Sequence, residues 1–179
     1  MAILTDDDKI SEEFYDEVLS VSYRRKKLIK NPRTKVRGFS FNALLAMIVS
    51  LAFIGILELF PILDYYNHWL NIIACIISVF GLSFGLVNYL KAKTKISELK
   101  NLTLNSKLVI ENDFVEWYGS EERYYVKSED IIFILINKYS ICFIQKDDSK
   151  IIAVDVKYKN EIINAINENI KIVDNSDLY

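Results

Sequence analysis

The chain has 179 residues, of which 22 are basic, 24 are acidic and one is a histidine, so its formal net charge at pH 7 is −2. Hydrophobic residues make up 51% of it and mean hydropathy is +0.15, although 26% of the residues are charged. A water-soluble domain with this share of charge is rarely so apolar, so the two residue classes must occupy different segments. The negative net charge also argues against a nucleic-acid partner.

The first segment, residues 1–38, is predicted to hold an amphipathic helix from Asp6 to Lys30. Acidic residues fill the first half of this helix and basic residues its end, a polarity that complements the helix dipole. An apolar stripe at helical spacing is expected to pack on the rest of the cytoplasmic part, with docking of a foreign partner as the alternative. The stripe consists of Ile10, Phe14, Val18 and Val21.

Two long apolar segments follow, at residues 39–60 and 69–90. The first carries one charge, Glu58, and the second carries none. Each would form a helix of roughly 33 Å, enough to cross a hydrocarbon core of roughly 30 Å. We therefore predict a transmembrane helical hairpin with a short extracytoplasmic loop at 61–68. Core helices of a soluble bundle, the alternative, would carry a polar stripe.

Basic residues predict the orientation of this hairpin. The loop between the spans contains no Lys or Arg, whereas both outer flanks are rich in them, so both termini are expected in the cytoplasm of a multi-pass cell-membrane protein. Setting the topology is a sufficient role for these residues, and recognition of a specific anionic lipid is the alternative. The membrane-flanking basic residues are Arg24, Arg25, Lys26, Lys27, Lys30, Arg33, Lys35, Arg37, Lys91, Lys93 and Lys95.

Small residues predict a packing face on the second span. Gly81 and Gly85 form a GxxxG pattern that Ser78 extends toward the outside. Small residues at this spacing let helix backbones approach closely inside lipid. The two spans of one chain are expected to pack through this face, and a homodimer through the second span is the alternative.

The last segment, residues 91–179, alternates short apolar runs with polar turns. It is predicted to be an α+β domain: a small antiparallel curved sheet or partial barrel, like that of pleckstrin-homology (PH) domains, ending in a helix from Tyr158 to Lys171 with Asp155 as N-cap candidate. The predicted strands are Leu102–Asn105, Lys107–Glu111, Phe114–Tyr118, Arg123–Lys127, Ile131–Lys138, Ser140–Lys146 and Lys150–Val156.

The run from Ile131 to Ile136 is apolar at every position, so both faces of this strand are apolar. A central strand covered on each side would explain the run, and so would a contact between copies of the chain. The sequence leaves both open.

A family resemblance rests on several short runs and on the order of the segments. These runs are Leu4-Thr5 with the acidic residues after it, Tyr23-Arg24-Arg25-Lys26-Lys27, and, within 102–170, Leu108-Val109-Ile110 and Trp117. In these features the chain resembles the YcxB-like proteins of bacteria, which have a short N-terminal segment, two transmembrane helices, and a C-terminal domain of strands and one helix.

Two positions depart from that family. Ser128 stands where a tryptophan begins a tryptophan-acid-acid-isoleucine step, and Asp155-Val156-Lys157 replaces a proline before the last helix. The resemblance implies a membrane-anchored module with a PH-like domain, and it supplies no catalytic residues.

Residues with catalytic or metal-binding chemistry are sparse. His68 is the one histidine, and Cys75 in the second span cannot meet Cys142 in a strand, so both cysteines are expected to be small buried hydrophobes without a disulfide. Phosphate loops, nucleophile elbows and CxxC pairs are missing from the sequence. We therefore expect a protein that is not an enzyme and needs no cofactor or metal.

Two functions fit these expectations. The first is a membrane-anchored interaction module that binds a protein partner, or a lipid headgroup, at the cytoplasmic face. The second is a small membrane immunity protein that neutralises a cognate bacterial toxin, because inhibitors also act through surface complementarity.

Overall fold

A computed structural model describes residues 2–6, 10–59, 68–103, 106–119, 122–146 and 151–179. The chain divides into two compact units. Residues 1–37 and 95–179 form one, called the sheet unit here, and residues 38–94 form the other, called the helix-pair unit. Helices and mainly antiparallel sheets occur together, which confirms the α+β prediction at this level.

The elements in chain order are β1 (Ala2–Asp6), α1 (Glu12–Lys30), α2 (Phe39–Leu59), α3 (His68–Thr103), β2 (Ser106–Ile110), β3 (Phe114–Tyr118), β4 (Arg123–Lys127), β5 (Ile131–Ile136), β6 (Ser140–Gln145), β7 (Ile152–Asp155), α4 (Lys159–Ala165) and β8 (Ile172–Asp174).

The first sheet has the order β1-β2-β3-β4 with every pair antiparallel. The sequence-based helix start at Asp6 is wrong, because Ala2–Asp6 is a strand that pairs with β2. Helix α1 begins at Glu12, where the Ser11 hydroxyl accepts a hydrogen bond from the Phe14 amide at 3.2 Å. That hydroxyl satisfies an amide that has no partner inside the helix, so Ser11 is the N-cap.

The second sheet has the order β7-β6-β5-β8, with β8 parallel to β5 and the other pairs antiparallel. Strand β8 was not predicted, and the last helix is much shorter than the predicted Tyr158–Lys171. It ends at Ala165 because a turn at Asn167, whose side chain accepts from the Asn169 amide at 3.0 Å, redirects the chain into β8. Asp155 does act as a cap, since it accepts from the Lys157 amide at 2.9 Å at the start of a 3-10 turn that leads into α4.

The core of the sheet unit lies on both faces of β5. Ile134 and Ile136 belong to the cluster shared by the two sheets and α4, whereas Phe133 and Leu135 belong to a second cluster that includes Val21 of α1. All of them are at most 2% exposed. A strand covered on each side therefore explains the apolar residues from Phe133 to Ile136, while Ile132 is 36% exposed.

The helix-pair unit contains α2 and the first part of α3. In the part of the chain that the structure describes, one stretch, Cys75–Lys100, is long and apolar enough to cross a membrane, while the apolar stretch Asn42–Phe53 of α2 is shorter. The predicted loop lies outside the described residues apart from His68, which begins α3. Helix α3 continues to Thr103, so the predicted strand at 102–105 is wrong at Leu102 and Thr103.

Gly81 and Gly85 lie against α2 in this unit. A Cβ atom at Gly85 would be 2.5 Å from the Met47 Cγ and 3.1 Å from the Ala43 carbonyl oxygen, and one at Gly81 would meet the Ser50 hydroxyl. Ser78 is 1% exposed. The expected packing between the two helices of one chain is therefore observed, whereas a homodimer through the same glycines stays a prediction and would require α2 to leave them. Cys75 is exposed rather than buried.

Candidate functional site

Most of the membrane-flanking basic residues lie on the surface. Arg24 is half-buried and Arg25 is buried, while the others are exposed. Residues 26–37, which run from the end of α1 to two residues before α2, contain six exposed basic residues and no acidic residue. We call this segment the basic strap, and its cations are Lys26, Lys27, Lys30, Arg33, Lys35 and Arg37.

Arg25 differs from the other membrane-flanking basic residues in its surroundings. Its side chain is 5% exposed, and its guanidinium donates a hydrogen bond to the backbone carbonyl of Gln145 at the end of β6. The side chain of the same glutamine accepts from the Tyr124 hydroxyl at 2.8 Å. Arg25 is therefore not a solvent-facing cation like the others, because its side chain joins α1 to the second sheet.

Residues after β8 hold the basic strap in place. The Asn175 side-chain amide donates to the carbonyl oxygens of Pro32 at 2.9 Å and of Thr34 at 3.2 Å. The Tyr179 hydroxyl donates to the Val36 carbonyl oxygen. These bonds reach across more than 140 positions of sequence, so only the tertiary fold could reveal them.

Two further contacts fix the end of the strap. The Ser20 hydroxyl of α1 donates to the Arg37 carbonyl oxygen at 2.7 Å, and the Lys35 ammonium lies 5.0 Å from the centre of the Tyr179 ring. Val36 is 1% exposed. The strap therefore has an anchored backbone and an apolar residue inserted in the core, while its cationic side chains face solvent.

An apolar cleft opens elsewhere in the sheet unit, with a volume of about 420 Å³. Helix α1, the last turns of α3, and strands β3, β4 and β7 all contribute to it. Its aromatic and aliphatic lining surrounds a few polar groups, among them Lys95, which forms a 2.5 Å ion pair with Glu98 one helical turn away. The apolar lining includes Phe14, Tyr15, Val18, Trp117, Tyr124 and Ile152.

A buried carboxylate lies on the face of α1 that packs against the second sheet. Glu17 is 3% exposed, and its Oε2 accepts from the Ser140 hydroxyl at 2.7 Å and from the Tyr139 amide at 3.0 Å. Burial raises the pKa of Glu17, although these hydrogen bonds and the nearby Tyr179 hydroxyl act in the opposite direction. Burial, with the charge of Glu17, also raises the pKa of Tyr179.

Glu17 belongs to the acidic first half of the predicted helix, and its burial was not predicted. A signal for its burial existed, because Glu17 lies three residues after Phe14 and four before Val21, on the apolar stripe itself. A carboxylate on the apolar stripe is buried with it, so it needs hydrogen-bond donors from the surface on which the stripe packs.

Two side chains with nucleophilic chemistry, Ser140 and Cys142, are closed to solvent. The Ser140 hydroxyl is fully buried and donates to Glu17, and burial raises the pKa of the Cys142 thiol to about 12. Among the described residues there is no group of three His, Cys, Asp or Glu side chains placed to hold a metal ion. A second cleft, of about 560 Å³ and more polar, lies beside Lys127 and Asn169.

The fold and these surfaces define an α+β unit joined to an apolar helix pair. Comparisons with protein-family models, with curated proteins and with solved structures found no match.

Proposed function

We propose that the protein is a membrane-anchored interaction module of the YcxB-like kind, without enzymatic activity, whose sheet unit is a PH-like domain that binds a protein partner at the cytoplasmic face. The observation that carries this proposal is the aromatic-lined cleft between α1, the end of α3 and the strands.

The anchor would be the hairpin of α2 and α3, with both ends of the chain in the cytoplasm. Support comes from the stretch Cys75–Lys100, which has the length and composition of a span, and from its large exposed apolar side chains. Phe80 and Phe84 are each 71% exposed and Ile77 is 61% exposed. Side chains of this size are stable in lipid and unfavourable in water.

The cleft has the properties of a recognition pocket for a large apolar side chain. Its volume of about 420 Å³ falls in the size range of ligand pockets, and aromatic residues dominate the most stable contacts of protein interfaces. The Lys95–Glu98 pair and Glu122 lie at the same cleft, so polar groups of a bound peptide would find charged partners beside the apolar floor.

Ser22 provides the variant that tests this proposal. It is exposed and lines the cleft, so Ser22→Arg would fill the space with a long charged side chain and leave the core packing unchanged. Asn164→Arg is the matched control, because Asn164 is exposed on α4 and does not line the cleft.

The measurement is affinity capture of the full-length protein from detergent-solubilised host membranes, followed by titration of the purified partner. We expect a partner that binds the wild type and the Asn164→Arg variant alike and binds Ser22→Arg at least tenfold more weakly. Equal binding by all three proteins would show that the cleft is not the recognition surface. The identity of the partner also tests the alternative function, because an immunity protein must capture a toxin.

A further inference from the structure

We propose that the basic strap binds the headgroups of anionic phospholipids in the leaflet next to the sheet unit. This inference rests on the membrane anchoring proposed above and concerns a different surface from the cleft. Its parts are the charge of the strap, the contacts that hold the strap, and the length of chain between the strap and α2.

The strap is rich in cations and carries no negative charge of its own. Six exposed cations occur in twelve residues without a single acidic residue. None of the ion pairs found among the described residues involves Lys26, Lys27, Lys30, Arg33 or Lys35. An uninterrupted group of solvent-facing cations next to a membrane segment is suited to attract phosphate groups of anionic lipids.

The contacts of the strap make it a formed surface rather than a loose tail. Asn175 and Tyr179 bind three backbone carbonyls between Pro32 and Val36, and Ser20 binds a fourth at Arg37. A surface whose backbone is already ordered loses less conformational entropy when it binds a ligand. The same contacts satisfy these four carbonyl groups, while the six basic side chains of the strap stay exposed.

The chain length places the strap near the start of α2. Arg37 is two residues before Phe39, and Lys35 is four residues before it. Since an extended residue spans at most about 3.6 Å, the Lys35 backbone lies within about 14 Å of the first residue of α2. If α2 enters the membrane near Phe39, Lys35 and Arg37 reach the headgroup region, which favours a lipid over a soluble anion as the ligand.

The test uses the full-length protein in a mild non-ionic detergent and a short-chain phosphatidylglycerol as the probe, with binding followed by titration. Arg33→Gln combined with Lys35→Gln removes two cations from the strap and leaves the other four. The matched control combines Lys146→Gln with Lys171→Gln, which removes two exposed cations outside the strap. Tyr179→Phe removes the hydroxyl that binds Val36 and lies beside Glu17, without changing the charge of the strap, and retains the ring beside Lys35.

We expect the strap variant to bind phosphatidylglycerol roughly 25-fold more weakly than the wild type, because it lacks two cations and each cation near an anionic surface contributes about fivefold. The control pair should bind like the wild type. Tyr179→Phe should weaken binding about twofold, because the strap loses part of its order and none of its charge.

Three results would overturn the proposal: equal binding by the strap variant and its control, equal binding of phosphatidylcholine and phosphatidylglycerol, or full competition by glycerol phosphate at the same concentration. The last of these would show a site for a soluble anion. A failed partner capture in the cleft experiment leaves this assay unaffected, because the lipid titration needs no protein partner.

Discussion

The carboxylate of Glu17 accepts a 2.7 Å hydrogen bond from the hydroxyl of Ser140, which is 123 positions later in the chain. This bond joins α1 to the start of β6 at a site closed to water. It lies beside the Cys142 cluster that α1 forms with the second sheet. A buried carboxylate held in this way makes the association of α1 with the sheet sensitive to its ionisation.

Stability should therefore depend on pH through Glu17. Burial raises its pKa above the ordinary value of 4.5, so the folded state holds the proton more tightly than the unfolded state does. The corresponding stability is fully present below pH 4.5 and is lost as the pH rises through the raised folded pKa. Thermal unfolding of the purified protein between pH 4 and pH 8 would measure this loss.

The Glu17→Gln variant should show a flatter pH profile, because the amide oxygen can accept both hydrogen bonds and does not ionise. Glu13→Gln is the control, since Glu13 is an exposed residue of the same helix and its variant should follow the wild-type profile. Parallel profiles for the wild type and Glu17→Gln would show that Glu17 does not contribute to the pH dependence.

Replacement of Arg25 should destabilise the sheet unit. Arg25→Met retains the apolar stem and removes the guanidinium that binds the Gln145 carbonyl. Loss of a buried hydrogen bond from a charged group lowers the free energy of unfolding by about 2 kcal/mol. Chemical denaturation would measure the change, and Lys26→Met, at an exposed neighbouring position, should stay within about 0.5 kcal/mol of the wild type.

Replacement of Gly85 should separate α2 from α3. In Gly85→Leu the new side chain would collide with Met47 and with the Ala43 carbonyl, and a backbone carbonyl cannot rotate away. Gly55→Leu is the control, because a Cβ atom there meets nothing within 4 Å. We expect a lower unfolding temperature in detergent for Gly85→Leu alone, and equal temperatures for both variants would contradict the observed packing.

Cys142 should be chemically inert in the folded protein. The residue is fully buried and its thiol pKa is about 12, so almost no thiolate is present at pH 8. Cys75→Ser leaves Cys142 as the single cysteine of the chain. Labelling of this variant with a water-soluble disulfide reagent should require denaturant, and rapid labelling without denaturant would show that α1 does not cover β6.

Periodicity predicted the elements that carry a local pattern of their own. The apolar stripe of α1 does pack on the second sheet, and strands β3, β4 and β6 have nearly the predicted bounds, because alternation and turn residues are local signals. Local signals failed for β1 and β8. Strand β1 forms its backbone hydrogen bonds with β2, and β8 forms its own with β5. Both partners are distant in sequence, and neither short strand has an alternating pattern that would predict it.

The charged character of Arg25 and Glu17 also did not predict that both side chains are buried. Both belong to charged runs that are normally solvated, and both are buried because the second sheet offers a carbonyl to the first and donors to the other. These partners lie more than 110 positions away, where no short pattern can indicate them.

By itself, then, the sequence determined the segregation of apolar and charged segments, the α+β character, the small-residue face of α3 and the cluster of cations before α2, because each depends on composition or on spacing along one element. Only the tertiary structure decided which cations face solvent, how Asn175 and Tyr179 hold the basic strap, and where the cleft opens. Those features arise where segments that are remote in sequence meet. The physical reason is that a hydrogen bond needs both its donor and its acceptor, and a cavity needs every segment that lines it.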